Sequence, residues 1–203
     1  MANNAEVSDA LKNCSAFVDK AAQGRYEALV FPLAVFTSGQ NRKKLNQIKE
    51  LALERKITLE AGGWDLSCMV PRKYFFFHKD SFRMVEGKRK KDHHFCPTSL
   101  NAIKIMGTEG TKLFEAAAGI EVFHLWPDKE AETAWCFCPT CRAFTVQEQG
   151  RIAVNAAADV LAAVNPNASI TYIEKSGEAC KIVLRKNIEK LCFESFDTDK
   201  STH

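Results

Sequence analysis

The chain has 203 residues with a net charge of +3, 46% apolar and 26% charged residues. That is enough for one good-sized core, and the composition is that of an ordinary globular protein. So weak a charge gives no reason to expect a nucleic-acid or membrane partner.

The N-terminus "MANNAEVSD" lacks the basic-then-apolar order of an export signal. If Met1 is the true start, a cytoplasmic location is expected. Residues 5–23 place Val7, Ala10, Leu11, Cys14, Phe17, Val18 and Ala21 at helical spacing, ending at Gly24. "YEALVFPLAVF" then reads as one buried strand with an almost unbroken apolar run. That run is too short to span a bilayer and contains Pro32. "SGQNRKKLNQIKELALERK" reads as a helix with Leu45, Ile48, Leu51 and Ala52 on one face. "ITLEAGGW" reads as a second strand, with Leu59 and Ala61 on one face and Glu60 on the other.

Residues 65–97 read as a long irregular connection, rich in aromatics and holding the basic run "GKRKKDHH". A connection this long in an α/β unit is usually functional. The basic run itself reads more readily as a solvated loop than as a binding patch. Thr98 or Ser99 can cap a following helix to about Ala118, which Gly107 and Gly110 should weaken or break. "IEVFHLWPD" is a third strand, with Phe123 and Leu125 on one face and Val122, His124 and Trp126 on the other. "TVQE" has capping-box spacing and opens a helix through Val164. "ASITYIE" is a fourth strand and "KLCFESF" a fifth. Strands alternating with helices predict an α/β fold with a parallel sheet.

Eight cysteines are present, three of them in "WCFCPTCRAF". Clustering in a chain with no export signal favours thiols and a metal over a disulfide frame. Cys136 and Cys138, two apart, can face one ion, and "CPTC" is the thiolate knuckle of structural zinc sites. Cys141 makes a third ligand. Cys96 is the first candidate for the fourth, then His94 or His93, then water. Packed free thiols and a redox pair are the competing readings. Four closed ligands would make the zinc structural.

In parallel α/β folds the chemistry gathers at the C-terminal strand ends. Here those ends carry Glu60, Asp65, Asp128 and Glu194, with Trp64, Trp126 and His124. Paired carboxylates beside aromatic platforms suit carbohydrate chemistry.

The ordered occurrence of "EAGGWD", "HFCPTS", "HLWPD" and "WCFCPTCRAF" resembles an uncharacterised bacterial domain family of glycoside-hydrolase-like barrels. Its architecture is similar to that of α-glucuronidases and β-hexosaminidases. The resemblance runs from about Tyr26 to the C-terminus. It implies a TIM-type (β/α)₈ barrel, a sugar ligand, and a metal group of Cys96, Cys136, Cys138 and Cys141. On this basis Asp128, Asp65 and Glu60 are the candidate catalytic carboxylates. Trp64, Trp126, His124 and Arg72 are the candidate sugar contacts. The family pattern has a histidine where this sequence has Trp64, which can stack on a sugar but cannot do acid–base work.

A full barrel needs roughly 250 residues. With four or five strands, residues 1–203 read as a single domain forming part of a barrel, whose other strands belong to a longer parent chain or are missing from an incomplete sequence. The leading expectation is a glycoside-hydrolase-like domain with structural zinc. The alternative is a non-catalytic, zinc-stabilised carbohydrate-binding or scaffold domain. A zinc-knuckle nucleic-acid module is disfavoured, because basic and aromatic residues do not interleave along a strand.

Overall fold

A computed structural model describes residues 14–24, 26–37, 42–63, 66–127, 134–176 and 179–185. Five helices are described: α1 (Cys14–Gln23), α2 (Leu33–Thr37), α3 (Arg42–Glu54), α4 (Leu100–Ala116) and α5 (Val146–Val164). Among these residues β1 (Ala28–Phe31), β2 (Thr58–Gly63), β5 (Val122–Leu125), β6 (Ser169–Ser176) and β7 (Ala179–Arg185) form one sheet in that order. A separate hairpin pairs β3 (Met84–Val85) with β4 (Lys88–Arg89).

The first four strands of the sheet are parallel, as the alternation of strands and helices predicts. Each adds beside the last in chain order. The fifth departs from expectation: β7 is antiparallel to β6 and joins it as a hairpin. The described sheet is open, with β1 and β7 at its edges. The expected strand "KLCFESF" lies outside the described residues.

Two other expectations are corrected. "YEALVFPLAVF" is not one strand, because β1 ends at Phe31 and α2 begins at Leu33. Pro32 has no N–H for a ladder but is tolerated at a helix start, where its carbonyl accepts from Val35 N. Nor do Gly107 and Gly110 break α4, which runs through both. A Cβ on Gly110 would sit 2.8 Å from Met69 Cε and 3.3 Å from Val160 Cγ1. The glycine therefore admits close packing, and that packing outweighs its low helix propensity. Ser99, not Thr98, is the N-cap, accepting from Ala102 N. The capping box at Thr145 and Glu148 forms as its spacing predicts.

The core follows the apolar periodicities. Leu45, Ile48 and Ala52 of α3 are buried, as are Phe31, Leu59, Ala61, Phe123 and Ile170 of the sheet. Phe114 of α4 meets Phe123 edge-on at 5.0 Å. Ala61, Phe123 and Ile170 are register partners and form one row on this face of the sheet. Gly62, His124 and Thr171 form the next row, on the opposite face. Gly62 has φ +119°, and a Cβ there would lie 2.0 Å from the His124 carbonyl oxygen. Only glycine permits that approach of β2 to β5.

The connection at 66–97 is less irregular than its sequence implies. It holds three short 3₁₀ turns and the β3–β4 hairpin. Among the described residues no helix is long and apolar enough to cross a membrane.

Candidate metal centre

The four cysteines come from two places. Cys96 lies just before α4, its N–H donating to Ser81 O and its carbonyl accepting from Ser99 N. Cys136, Cys138 and Cys141 lie just before α5. The knuckle closes through Arg142 N donating to Cys138 O at 3.0 Å and Phe144 N to Cys141 O at 3.1 Å.

All four sulfurs lie within 4.8 Å of one another and all four residues are buried. Cys96 Sγ is 3.8 Å from Cys138 Sγ and 3.6 Å from Cys141 Sγ. A disulfide requires about 2.05 Å, so these are not bonded pairs. A tetrahedral zinc with Zn–S near 2.3 Å sets sulfurs about 3.8 Å apart along each edge. The observed separations fit that figure. Cys96 is the residue that lies where a fourth ligand would be. His94 instead stacks on Trp135, ring centroids 4.2 Å apart. Burial, with the nearby cations Arg72, His93 and Arg83, pushes His94 down to about 3.

Donors surround the sulfurs. Met84 N–H donates to Cys136 Sγ at 3.3 Å, while Met84 O accepts from Phe137 N at 2.8 Å. This reciprocal pair fixes the β3–β4 hairpin on the knuckle. Arg89 Nη1 lies 3.8 Å from Cys136 Sγ, and Thr98 Oγ1 lies 3.1 Å from Cys141 Sγ. Burial works against the Arg89 charge, but its attraction to the cysteine sulfurs outweighs this and raises its pKa. Gln149, buried on α5, accepts from Cys136 N at 3.1 Å and donates to Cys141 O at 3.3 Å. Sequence reading missed it. The available signal is its place four residues before Ala153, on the buried stripe of α5, where a polar side chain must find partners.

In the thiol state the sulfurs compete for charge. Hydrogen bonds from Cys136 and Cys141 hold Cys96 well below the ordinary thiol range. Hydrogen bonds to Cys136 and Cys96, with burial, hold Cys141 far above it. A divalent cation removes the conflict, because thiols that coordinate it are deprotonated.

A second polar group lies in the sheet. His124 Nε2 is 2.6 Å from Glu60 Oε2, and His124 Nδ1 is 2.6 Å from Thr171 Oγ1. Trp126 Nε1 donates to Thr171 Oγ1 at 3.2 Å. The indole can only donate and a carboxylate only accepts, so Nε2–H donates to Glu60 and a neutral ring takes the Thr171 hydroxyl proton at Nδ1. Glu60, His124 and Thr171 are buried, and Trp126 is half-buried with its ring edge-on to His124 at 5.3 Å. Thr171 was not anticipated, although it alternates with Ile170 and Tyr172 on β6.

The remaining candidates do not gather there. Arg72 Nη2 donates to Asp92 O at 3.4 Å, and its guanidinium lies 5.9 Å from the Phe82 ring. Trp64, Asp65, Asp128 and Glu194 lie outside the described residues.

The molecule is thus an α/β chain with a buried four-cysteine cluster that could hold a metal. No protein-family model matches the chain. No curated protein matches it either.

Proposed function

We propose that this chain is a zinc-stabilised α/β domain in which Cys96, Cys136, Cys138 and Cys141 hold one structural ion. The observation that carries this is the convergence of four buried sulfurs within 4.8 Å of one another, with Cys96 at the edge length of a thiolate tetrahedron from Cys138 and Cys141. Four protein ligands leave no position for substrate, so the ion's work is to fix the hairpin and the starts of α4 and α5. The test is metal analysis of the purified chain beside Cys141→Ser. One zinc per chain, lost in the variant, is expected. A red, iron-loaded protein overturns zinc, since iron also takes four thiolates. No metal, with all these thiols titratable, overturns the site.

A carbohydrate role is a second reading. It rests on the family resemblance, on parallel strands added in barrel order, and on Glu60, His124 and Trp126 meeting near the strand ends. In that reading the described strands are part of a (β/α)₈-type barrel and Trp126 forms a sugar platform. Glu60 is buried against His124, so acid or nucleophile duty falls to Asp128 with Asp65. Asp128→Asn separates the forms. Lost glycoside turnover with retained sugar binding marks an enzyme. Binding without turnover in the unaltered chain marks a scaffold. No binding of any sugar sinks the reading.

A further inference from the structure

The connection between β2 and α4 concentrates the molecule's positive charge. Residues 72–94 hold eight Lys or Arg against three Asp or Glu. That surplus exceeds the +3 of the whole chain, so the rest is net acidic.

The structure sorts these cations into two sets. Four are engaged within the protein: Arg83 is paired with Asp92 at 2.7 Å, the exposed Lys73 with Glu109 at 3.0 Å, Arg89 with Phe82 O at 2.6 Å, and Arg72 with Asp92 O at 3.4 Å. The other four are Lys79, Lys88, Lys90 and Lys91, of which Lys79, Lys88 and Lys91 are exposed and Lys90 is half-buried. The acidic residues are largely spoken for. Asp92 is held by Arg83, and Asp80 accepts from Ser99 and Asn101. Glu86 stands at the hairpin turn, exposed.

The same connection holds two consecutive aromatics that the core does not use. Phe76 is 72% exposed and Phe77 is 86% exposed. Lys91 Nζ lies 5.4 Å from the Phe76 ring centroid. In the sequence the aromatic run and the basic run are a dozen residues apart. The fold joins them where Lys91 lies over Phe76. The hairpin is fixed to the cysteine knuckle through Met84, so the platform has a rigid base.

Exposed aromatic rings and ammonium groups match what a single nucleic-acid strand offers, which is unpaired bases to stack and phosphates to pair. A duplex hides its base faces. A simple polyanion has none. We propose that Phe76 and Phe77, with Lys79, Lys88, Lys90 and Lys91, form a binding surface for single-stranded nucleic acid. It accepts strands without reading sequence, because stacking on Phe and pairing with Lys are both indifferent to base identity.

The test uses the full metal-loaded chain and a short fluorescein-labelled oligothymidylate, read by anisotropy across a salt series. Four lysine–phosphate contacts give a slope of log affinity against log salt of about −2 to −3. Phe77→Ala is expected to weaken binding about tenfold or more. Lys88→Glu with Lys91→Glu should flatten the slope. Both variants change exposed residues, and unchanged metal content and melting confirm that each is folded. Heparin and phosphatidylserine vesicles serve as the other anionic surfaces. Heparin binding as tight as the oligonucleotide, with no effect of Phe77→Ala on either, overturns the proposal. So does tighter binding to the vesicles, or no saturable oligonucleotide binding at low salt.

Discussion

Two polar clusters are buried among the described residues, and they solve the cost of burial differently. The Glu60–His124–Thr171–Trp126 chain closes on itself. Each proton has an acceptor within the protein, and three strands supply the parts. The four cysteines do not close. Their sulfurs crowd one another, shift each other's titration in opposite directions, and could hold a cation. A buried polar group must be satisfied from within or by a ligand. Only the cluster left incomplete by the protein itself points to a bound partner.

Breaking the two clusters should therefore have different signatures. The largest effect is expected from stripping the metal with a strong chelator. The fold should lose on the order of 4 kcal/mol or more, read as a fall in melting temperature that added zinc reverses. Next comes Glu60→Ala, which leaves His124 Nε2–H buried without its acceptor. A loss of about 2–3 kcal/mol is expected, and zinc content should not change. A variant that loses its metal as well would show that the two clusters are coupled.

Gln149→Ala sharpens the comparison from the cysteine side. It strands the Cys136 N–H and removes one donor from the Cys141 carbonyl. Stability should fall by about 1–2 kcal/mol, and zinc affinity, measured by competition with a chelating dye, by about tenfold or more.

The smallest effect lies away from both clusters. Glu109 accepts from Lys112 at 2.8 Å, Lys73 at 3.0 Å and Tyr74 at 2.9 Å. Lys112 first, then Lys73 and Tyr74, lower it from 4.5 to about 2. A lowered carboxylate contributes stability above its unfolded value and loses it as pH falls through the folded one. The advantage of the unaltered chain over Glu109→Gln, about 1 kcal/mol or less near neutrality, should fade as pH drops from 4.5 towards 2. Both proteins release metal in acid, so the difference between them cancels that loss. An advantage that persists at the acid end would remove the ion-pair account.

How much was legible in the sequence follows the same division. The cysteine site was readable because its ligands sit in short runs with known spacing, and Cys96 was the first choice for the fourth. The capping box at Thr145 was readable for the same reason. The sheet network was only half legible. Alternation put Glu60 opposite Leu59 and His124 with Trp126, but no local pattern says which strand lies beside which. Thr171 enters only once β6 is placed next to β5 in register. β7 was not read as a strand at all, and its antiparallel direction is set by its pairing to β6. Gly110 misled because a propensity argument counts the cost to the helix and not the Met69 and Val160 contacts that the missing side chain allows.

The positions of the cysteines have a consequence for the unfolded chain. Cys96 and Cys138 are 42 residues apart, and the stretch between them contains all of α4 and β5. An ion gripped at both ends turns that stretch into a closed loop. Wherever the metal survives denaturation, the loop has fewer conformations to lose when it folds. By the chain-entropy argument used for disulfides this is worth about 4 kcal/mol. With an ion bound, the same knot would also shorten the search by which His124 finds its place between Glu60 and Thr171.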